Sequence, residues 1–161
     1  MRLDKKLLGK INVGGKGGAE KLFLPVLNEG WERVSASLYD FVNRSTRRKI
    51  ELKKQANQQW FDVGKYHNLS EDERQIIMVF LVHKKGVVEY VWSISLGDMI
   101  DTLLGDDQYS RDGWTAHNLA DQHKTKQMHP GGQYKAPLKV KKFVEKHGSL
   151  GTFHYQKPLD I

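Results

Sequence analysis

The sequence predicts one mixed α/β domain with a central β-sheet of about five strands, built from two β-hairpins and a terminal strand and flanked by helices. Two pairs of strand-like segments carry this prediction: residues 31–41 with 47–55, and residues 76–82 with 87–94. Each pair is joined by residues that favour tight turns, which is typical of antiparallel hairpins. Stretches with helical spacing of apolar residues lie outside the pairs, so we expect helices to cover the sheet.

The composition bounds the class of protein. The chain has 161 residues, the size of one domain, and its 39% of hydrophobic residues is enough for a core. The absence of cysteine excludes a disulfide scaffold, Cys-ligated zinc, iron–sulfur clusters and thiol nucleophiles. No window approaches the roughly 18 apolar residues of a membrane span, and the N-terminus lacks the apolar region of a signal peptide. We therefore expect a cytoplasmic protein with no membrane partner.

The charge balance indicates the class of partner. The chain carries 26 Lys and Arg against 19 Asp and Glu, a net charge of +7. Such an excess favours a polyanion, of which nucleic acid is the commonest. An anionic membrane surface would require an amphipathic helix with a wide apolar face flanked by Lys, and no segment has this pattern.

The N-terminal region is expected to be basic and partly helical. Residues 1–18 are interpreted as a basic helix over 1–12 followed by a glycine-rich loop. This loop lacks the Ser or Thr and the preceding buried strand that a phosphate-binding Walker loop requires. Residues 19–27 predict a helix that Pro25 limits or kinks, with Glu20 in its first turn, where the helix dipole favours a carboxylate.

The middle of the chain alternates between strand-like and polar segments. The first strand ends at a turn over residues 43–46, whose Asn, Arg, Ser and Thr are turn-forming residues. Residues 56–69 are polar and irregular, and residues 70–73 have the form of a capping box that begins a single helical turn. The continuous apolar run at 76–82 is rich in β-branched residues and is typical of a buried strand.

The C-terminal third contains two predicted helices and one polar segment. Residues 96–104 have helical spacing of apolar residues, and Gly105 is expected to end that helix. Residues 106–137 have few aliphatic side chains and are interpreted as a long polar loop. Residues 138–147 predict a basic helix, and residues 152–155 a last short strand.

The residues with chemical potential lie on the first hairpin. A hairpin of this length brings Asp40 close to Glu51, and the period of two in a strand puts Glu51 and Lys53 on one face. Two carboxylates and the intervening carbonyl of Leu52 are hard oxygen ligands that suit Mg²⁺. Lys53 would lie beside a metal-bound water and orient it, while the metal polarises a scissile phosphate. These are the parts that phosphodiester hydrolysis requires.

The Glu-x-Lys triplet by itself is not informative, because the composition alone predicts about one such triplet in this chain. Its context is more specific: the middle residue is apolar, the flanks are strand-like, and Asp40 precedes it across a turn. An ion-paired surface strand and a catalytic strand both remain open interpretations from the residues alone.

The pattern Asp-x10-Glu-Leu-Lys on a hairpin resembles the core of the PD-(D/E)XK nuclease superfamily, which has the restriction-endonuclease-like fold. The order of the parts is similar to that of the PvuII-like type II restriction endonucleases. In both, the triplet is followed by a polar stretch with His and Asn, then by a hairpin, here 80–94, and then by a segment like 96–104. A basic segment like 138–148 follows near the C-terminus. The resemblance covers roughly residues 36–155.

The resemblance implies a Mg²⁺-dependent DNA endonuclease, with Mn²⁺ as a substitute, that hydrolyses duplex DNA with metal-activated water. Asp40 and Glu51 would be metal ligands together with the Leu52 carbonyl, and Lys53 the water-orienting base. Cutting both strands requires two active sites, which implies a symmetric homodimer. The helix over 1–12 is the candidate for dimerisation by its position.

Three departures from the family pattern limit what can be transferred. Tyr39 stands where a Pro is usual, and the spacing from Asp40 to Glu51 is one residue longer. The consecutive histidines of the relative are absent, so its base recognition is not carried over. Glu20 is an additional metal-ligand candidate, because junction resolvases of this superfamily have a Glu on the helix before the hairpin. The candidate DNA-binding residues are Gln55, His67, Asn68, Lys124, Lys126, Lys139, Lys141 and Lys142.

Two alternatives follow from the same residues. The first keeps the fold and changes the substrate: a Holliday-junction resolvase or another structure-selective DNA nuclease, supported by Glu20. The second is a non-catalytic DNA-binding protein, in which Glu51 and Lys53 form only an ion pair. Comparing the cleavage of a four-way junction with that of linear duplex separates the structure-selective nuclease from the duplex endonuclease. Stabilisation by Mg²⁺ or Mn²⁺ separates both nucleases from the non-catalytic protein, which should show none.

Overall fold

The computed structural model describes residues 18–55, 58–85, 87–124, 135–156 and 158–161. Within these ranges the protein has a mixed α/β fold, with a mostly antiparallel six-stranded sheet, a two-stranded sheet and flanking helices. The basic helix and most of the glycine-rich loop expected at the N-terminus lie outside the described residues.

The strands form two sheets. They are β1 Trp31–Arg33, β2 Phe41–Asn43, β3 Lys49–Gln55, β4 Gln59–Asp62, β5 Ile77–Lys84, β6 Val87–Ser95, β7 Lys135–Leu138 and β8 Thr152–His154. The central sheet has the order β1-β2-β3-β5-β6-β8, and β4 pairs with β7 in the small sheet. Strands β3 and β5 run parallel, whereas all other neighbours are antiparallel. The small sheet covers part of the face that carries the candidate site.

The helices are short, and side chains cap the starts of several of them. They are α1 Gly18–Phe23, α2 Glu71–Arg74, α3 Leu96–Gly105, α4 Asp107–Ser110, α5 Ala116–Lys124 and α6 Val140–His147. Ser70 and Ser95 accept hydrogen bonds of 3.1 Å from the backbone N–H three residues further on, which fixes the starts of α2 and α3. Across the described ranges, none of these helices has the length and apolar character to cross a membrane.

Both predicted hairpins are present, but the first differs in its details. The segment expected as one strand over 31–41 is split into β1 and β2, which pair antiparallel with Arg33 opposite Phe41. The intervening residues 34–40 reverse the chain, and this closed loop is held by a hydrogen bond of 2.8 Å from the Val34 N–H to the Asp40 carbonyl. The split adds a strand, so the central sheet has six strands rather than about five.

The prediction of a long polar loop over residues 106–137 is wrong for its described part. This part contains α4, α5 and the start of β7. The polar stretch at 56–69 likewise contains β4, followed by a 3₁₀ turn over Val63–Tyr66. The physical reason is that buried aromatic residues, among them Tyr109 and Trp114, replace the aliphatic residues whose absence suggested a loop.

Two apolar clusters cover the two faces of the central sheet. One face of β5 contributes Met78 and Phe80 to a cluster with the buried Trp92 and Trp114. The other face contributes Ile77, Val79 and Leu81 to a cluster with α1. Ile50 and Leu52 of β3 join this second cluster, so the alternate residues Glu51 and Lys53 lie on the other face of the strand.

Candidate functional site

Asp40 is held at its position by the backbone of β3. It lies directly before β2, where its N–H donates to the Ile50 carbonyl at 2.7 Å. Its carboxylate oxygen Oδ2 accepts a hydrogen bond of 2.8 Å from the Leu52 N–H. The regular pairing of β2 with β3 ends at Phe41 and Ile50. Beyond this pair, these two bonds to β3 fix both the backbone and the side chain of Asp40.

Glu51 and Lys53 share one face of β3, as their spacing predicts. The Lys53 ammonium forms an ion pair with the Glu51 carboxylate, and the two side chains are only 25% and 13% exposed. The Lys53 ammonium also lies 5.9 Å from the centre of the Phe61 ring. A cation on an aromatic face beside a largely buried carboxylate gives a charged pair that is shielded from bulk water.

The Glu51 carboxyl has an unusual proton affinity. Burial raises the pKa of Glu51 to about 7; the Lys53 ammonium opposes this effect, and the neighbouring Asp40 carboxylate adds to it. Burial also raises the pKa of the Tyr66 hydroxyl, and the charges of Glu51, Asp62 and Asp40 act in the same direction. The three carboxylates therefore lie near enough to the Tyr66 hydroxyl to affect its proton affinity, and like charges near one another disfavour full ionisation.

The backbone of Leu52 adds a possible oxygen ligand. Backbone groups of successive strand residues point to alternate edges of a strand. The Ile50 carbonyl and the Leu52 N–H both bond to Asp40, so the peptide groups of these two residues point towards β2. Since β2 pairs only as far as Ile50, the Leu52 carbonyl lies on the edge of β3 beside Asp40 rather than on the edge that pairs with β5.

The donor set fits a hard divalent cation. Mg²⁺ is commonly bound by one or two carboxylates, with waters and substrate phosphates completing its octahedron. Asp40, Glu51 and the Leu52 carbonyl could supply three oxygens. Among the described residues there is no group of three or more His, Cys, Asp or Glu side chains that could hold a metal without such help. A cation here would therefore depend on backbone, water or substrate oxygens.

Gln55 lies on the same face of β3 as Glu51 and Lys53, at its last residue. It is 4% exposed, and neither its amide nitrogen nor its amide oxygen has a hydrogen-bond partner in the part of the chain that the structure describes. A buried amide without partners is costly, by about 1–3 kcal/mol. Among the described residues, Gln55 therefore leaves a donor and an acceptor unpaired on the face of β3 that carries Glu51 and Lys53.

Several predicted site residues are not brought to Asp40 and Glu51. Glu20 lies in α1, whose Phe23 packs in the cluster on the opposite face of the sheet, and no described hydrogen bond or ion pair joins it to either carboxylate. His67 and Asn68 line a pocket with Arg74 against α3 and α5, and none of the three candidate catalytic residues lines it.

The predicted basic residues have different roles in the fold. Lys141 forms an ion pair of 3.0 Å with Glu89, which neutralises it locally. Lys139 and Lys142 are exposed at and near the start of α6, and Lys124 ends α5. Lys126 lies outside the described residues. The exposed lysines are therefore available to an anion, whereas Lys141 would first have to leave Glu89.

The structure adds residues that the sequence reasoning missed. Phe61 and Asp62 of β4, and Tyr66 of the following turn, wall the site, with the buried Trp114 stacked on Tyr66 at 6.3 Å between ring centres. The sequence signal for β4 is the short group of Trp60, Phe61 and Val63. The Gln and Asn residues before this group obscure the signal, and β7, the strand that pairs with β4, is far away in the sequence.

No protein-family model matches the chain, and no curated protein matches it in sequence.

Proposed function

We propose that the protein is a Mg²⁺-dependent DNA endonuclease with a restriction-endonuclease-like fold, acting on duplex DNA as a homodimer. The observation that carries the proposal is the convergence of Asp40 and Glu51 on one edge of β3, beside Lys53. The resemblance in the order of motifs supports it, as does the net charge of +7, which favours a polyanionic substrate.

Each residue has a distinct task in this mechanism. Asp40, Glu51 and the Leu52 carbonyl would hold the Mg²⁺ ion, which supplies Lewis-acid polarisation of the phosphate and lowers the pKa of a bound water. Glu51 must lose its proton for this role, and because its pKa is raised to about 7, the proton competes with the cation at and below neutral pH.

Lys53 would act beside the metal ligands. Its ammonium is paired with Glu51. With the Glu51 carboxylate holding a cation, the ammonium would be available to orient the attacking water and to offset the negative charge that develops on the phosphate. The Phe61 ring beneath the ammonium limits its movement, so Lys53 stays close to the reacting atoms.

The non-catalytic alternative also has a specific observation in its favour. The ion pair between Glu51 and Lys53 satisfies both charges without any ligand, as a structural pair would. A structural pair has no reason to bind a divalent cation, so metal binding at Asp40 and Glu51 separates the two functions. The structure-selective nuclease remains an alternative that differs only in substrate.

The test is a cleavage assay with matched variants. Supercoiled plasmid, linear duplex and a four-way junction are each incubated with Mg²⁺, Mn²⁺ or EDTA. The protein is compared with Asp40→Asn, Glu51→Gln and, as the control, Glu29→Gln, which removes the charge of an exposed carboxylate in a turn.

We expect metal-dependent cutting of plasmid and linear duplex by the unaltered protein and Glu29→Gln, and no cutting by the two site variants. Cleavage of the junction alone would assign the structure-selective function instead. Salt-sensitive DNA binding without cutting under any metal condition would assign the non-catalytic function. Cutting that persists in both site variants would overturn the assignment of Asp40 and Glu51.

A further inference from the structure

A second concave site lies at one end of the central sheet. It is a cavity of about 590 Å³ between the turn before β3, the beginnings of β3 and β5, and the ends of β6 and β8. Asp40, Glu51 and Lys53 do not line it. Its volume is in the range of about 300–1,000 Å³ that small-molecule sites usually have.

Two arginines at the rim carry uncompensated positive charge. Arg47 and Arg48 both line the cavity and are exposed, and neither has an ion-pair partner in the ranges that the structure describes. Of the two acidic residues in the lining, Asp72 pairs with Lys49 at 2.7 Å, whereas Asp160 only accepts from the neutral side chain of Asn28 at 3.4 Å and keeps its charge. Three cationic side chains against two carboxylates still leave the lining with an excess of one positive charge, which favours anions.

Hydrogen bonds fix the backbone of the turn that carries the two arginines. Arg47 has a φ of 63°, in the left-handed region, and its N–H donates to the Asn43 carbonyl at 2.9 Å. The Arg48 carbonyl accepts from the Asn43 N–H at 2.8 Å, and the Asn43 side chain accepts from two further N–H groups of the turn. A preorganised turn reduces the entropy lost on binding.

The cavity also has a buried polar lining. Ser93 on β6 is only 7% exposed, and its hydroxyl lies 2.7 Å from Nε2 of His154 on β8. Burial lowers the pKa of His154, although the charge of Asp160 acts in the opposite direction. If the neutral imidazole donates from Nε2, the Ser93 hydroxyl proton is free to donate to an incoming oxyanion. The exposed Thr152 adds a second hydroxyl to the same lining.

We propose that this cavity binds a phosphomonoester of about the size of a mononucleotide, with its phosphate between Arg47, Arg48 and the Ser93 hydroxyl. Arginine guanidinium groups recognise phosphate oxygens by paired, charge-assisted hydrogen bonds. Apolar side chains from Ile77 and Leu150 also line the cavity and offer contact area for the organic part of the ligand. The site is separate from the candidate nuclease centre, so the proposal holds whether or not DNA is cut.

The test is binding to the full-length protein by calorimetry and by NMR shift mapping. The probes are inorganic phosphate, a nucleoside 5′-monophosphate, the corresponding nucleoside and a short DNA duplex. The variants are Arg47→Asn, chosen because Asn tolerates a positive φ, Arg48→Gln and Ser93→Ala. The control is Arg33→Gln, which removes an exposed arginine of β1 outside the cavity. Thermal melts check that each variant is folded.

We expect the monophosphate to bind at least about tenfold more tightly than the nucleoside, which corresponds to about 1.4 kcal/mol. Arg48→Gln and Arg47→Asn should each weaken monophosphate binding about tenfold, and Arg33→Gln should leave it unchanged. Binding of the monophosphate and the nucleoside with equal affinity would overturn the proposal. So would shifts at Arg47 and Arg48 caused by the DNA duplex alone, because the arginines would then belong to a DNA track.

Discussion

The Asp40 carboxylate accepts a hydrogen bond of 2.8 Å from the backbone N–H of Leu52, the residue between Glu51 and Lys53. This bond joins a side chain from outside the regular strands to the centre of the candidate site. It fixes the position of the Asp40 carboxylate relative to Glu51, although residues 34–40 form an irregular loop. The geometry of the site thus depends on one side-chain-to-backbone bond as well as on the sheet.

Asp40 should therefore have two separable roles, structural and chemical. Asp40→Asn keeps an oxygen that can accept from Leu52 but removes the charge, whereas Asp40→Ala removes both. We expect both variants to lose DNA cleavage, and only Asp40→Ala to lose stability, by about 1–2 kcal/mol. Urea denaturation beside the plasmid assay measures the two effects. Equal stability of the Ala variant and the unaltered protein would show that the hydrogen bond does not hold the loop.

Lys53 should affect catalysis without affecting metal binding. We expect Lys53→Ala to slow metal-dependent cleavage by about 10²–10⁴-fold, the usual contribution of a positioned proton-transfer group. Its Mn²⁺ affinity should stay the same or increase, because Glu51 loses a competing partner. Lys54→Ala is the control, since its side chain lies on the other face of β3. Single-turnover cleavage and calorimetric Mn²⁺ titration separate the two effects.

Metal binding should depend on pH through Glu51. A raised pKa of about 7 means that the proton competes with the cation below neutral pH. We expect the increase in melting temperature caused by Mn²⁺ to be larger at pH 8 than at pH 6, and to be absent in Glu51→Gln at both. An increase that is the same at both pH values would mean that Glu51 is not a ligand.

Glu51 should also make the ligand-free protein less stable as the pH rises. Its folded pKa, about 7, is above the ordinary value of 4.5, so the folded state binds more protons than the unfolded state between these values. The free energy of unfolding therefore falls across this window and levels off above pH 7. We expect the stability of Glu51→Gln relative to the unaltered protein to increase from pH 4.5 to 7 in urea denaturation series. A difference that does not change with pH would contradict the raised pKa.

The sequence predicted the central hairpin and the relationship of the three site residues because these depend on local patterns. The period of two puts Glu51 and Lys53 on one face, and the turn brings Asp40 to them. The helix start at Ser70 was predicted for the same reason, since an N-cap acts over three residues. Each of these features is set by residues that are close in the chain.

The wall of the site could not be predicted in this way, because it depends on long-range pairing. Strand β4 exists because Phe61 pairs with Ala136 and packs on the buried Trp114 ring, 5.6 Å between ring centres. Neither contact leaves a periodic signal near Phe61. The division of the first strand was missed for a similar reason: Val34, Ala36 and Leu38 alternate as in a strand, but their backbone forms the loop that holds Asp40.

Gly151, the residue directly before β8, provides a stability prediction that is independent of function. A Cβ atom at Gly151 would lie 2.6 Å from ring carbons of Trp92 and would also clash with the Ser93 backbone carbonyl. Trp92 cannot move to make room, because it is fully buried, packs against Phe143 at 5.8 Å between ring centres, and donates from Nε1 to the Gly148 carbonyl at 3.2 Å.

We therefore expect Gly151→Ala to lower the free energy of unfolding by about 1–3 kcal/mol, the usual cost of overpacking a well-packed site. Gly105→Ala is the matched control: Gly105 is the last residue of α3, and a Cβ there meets nothing within 4 Å. This second variant should be neutral or gain up to about 1 kcal/mol, because alanine loses less backbone entropy in a helix. Urea denaturation midpoints measure both. If Gly151→Ala were as stable as Gly105→Ala, β8 would not approach β6 as closely as its pairing through Trp92 and Phe153 requires.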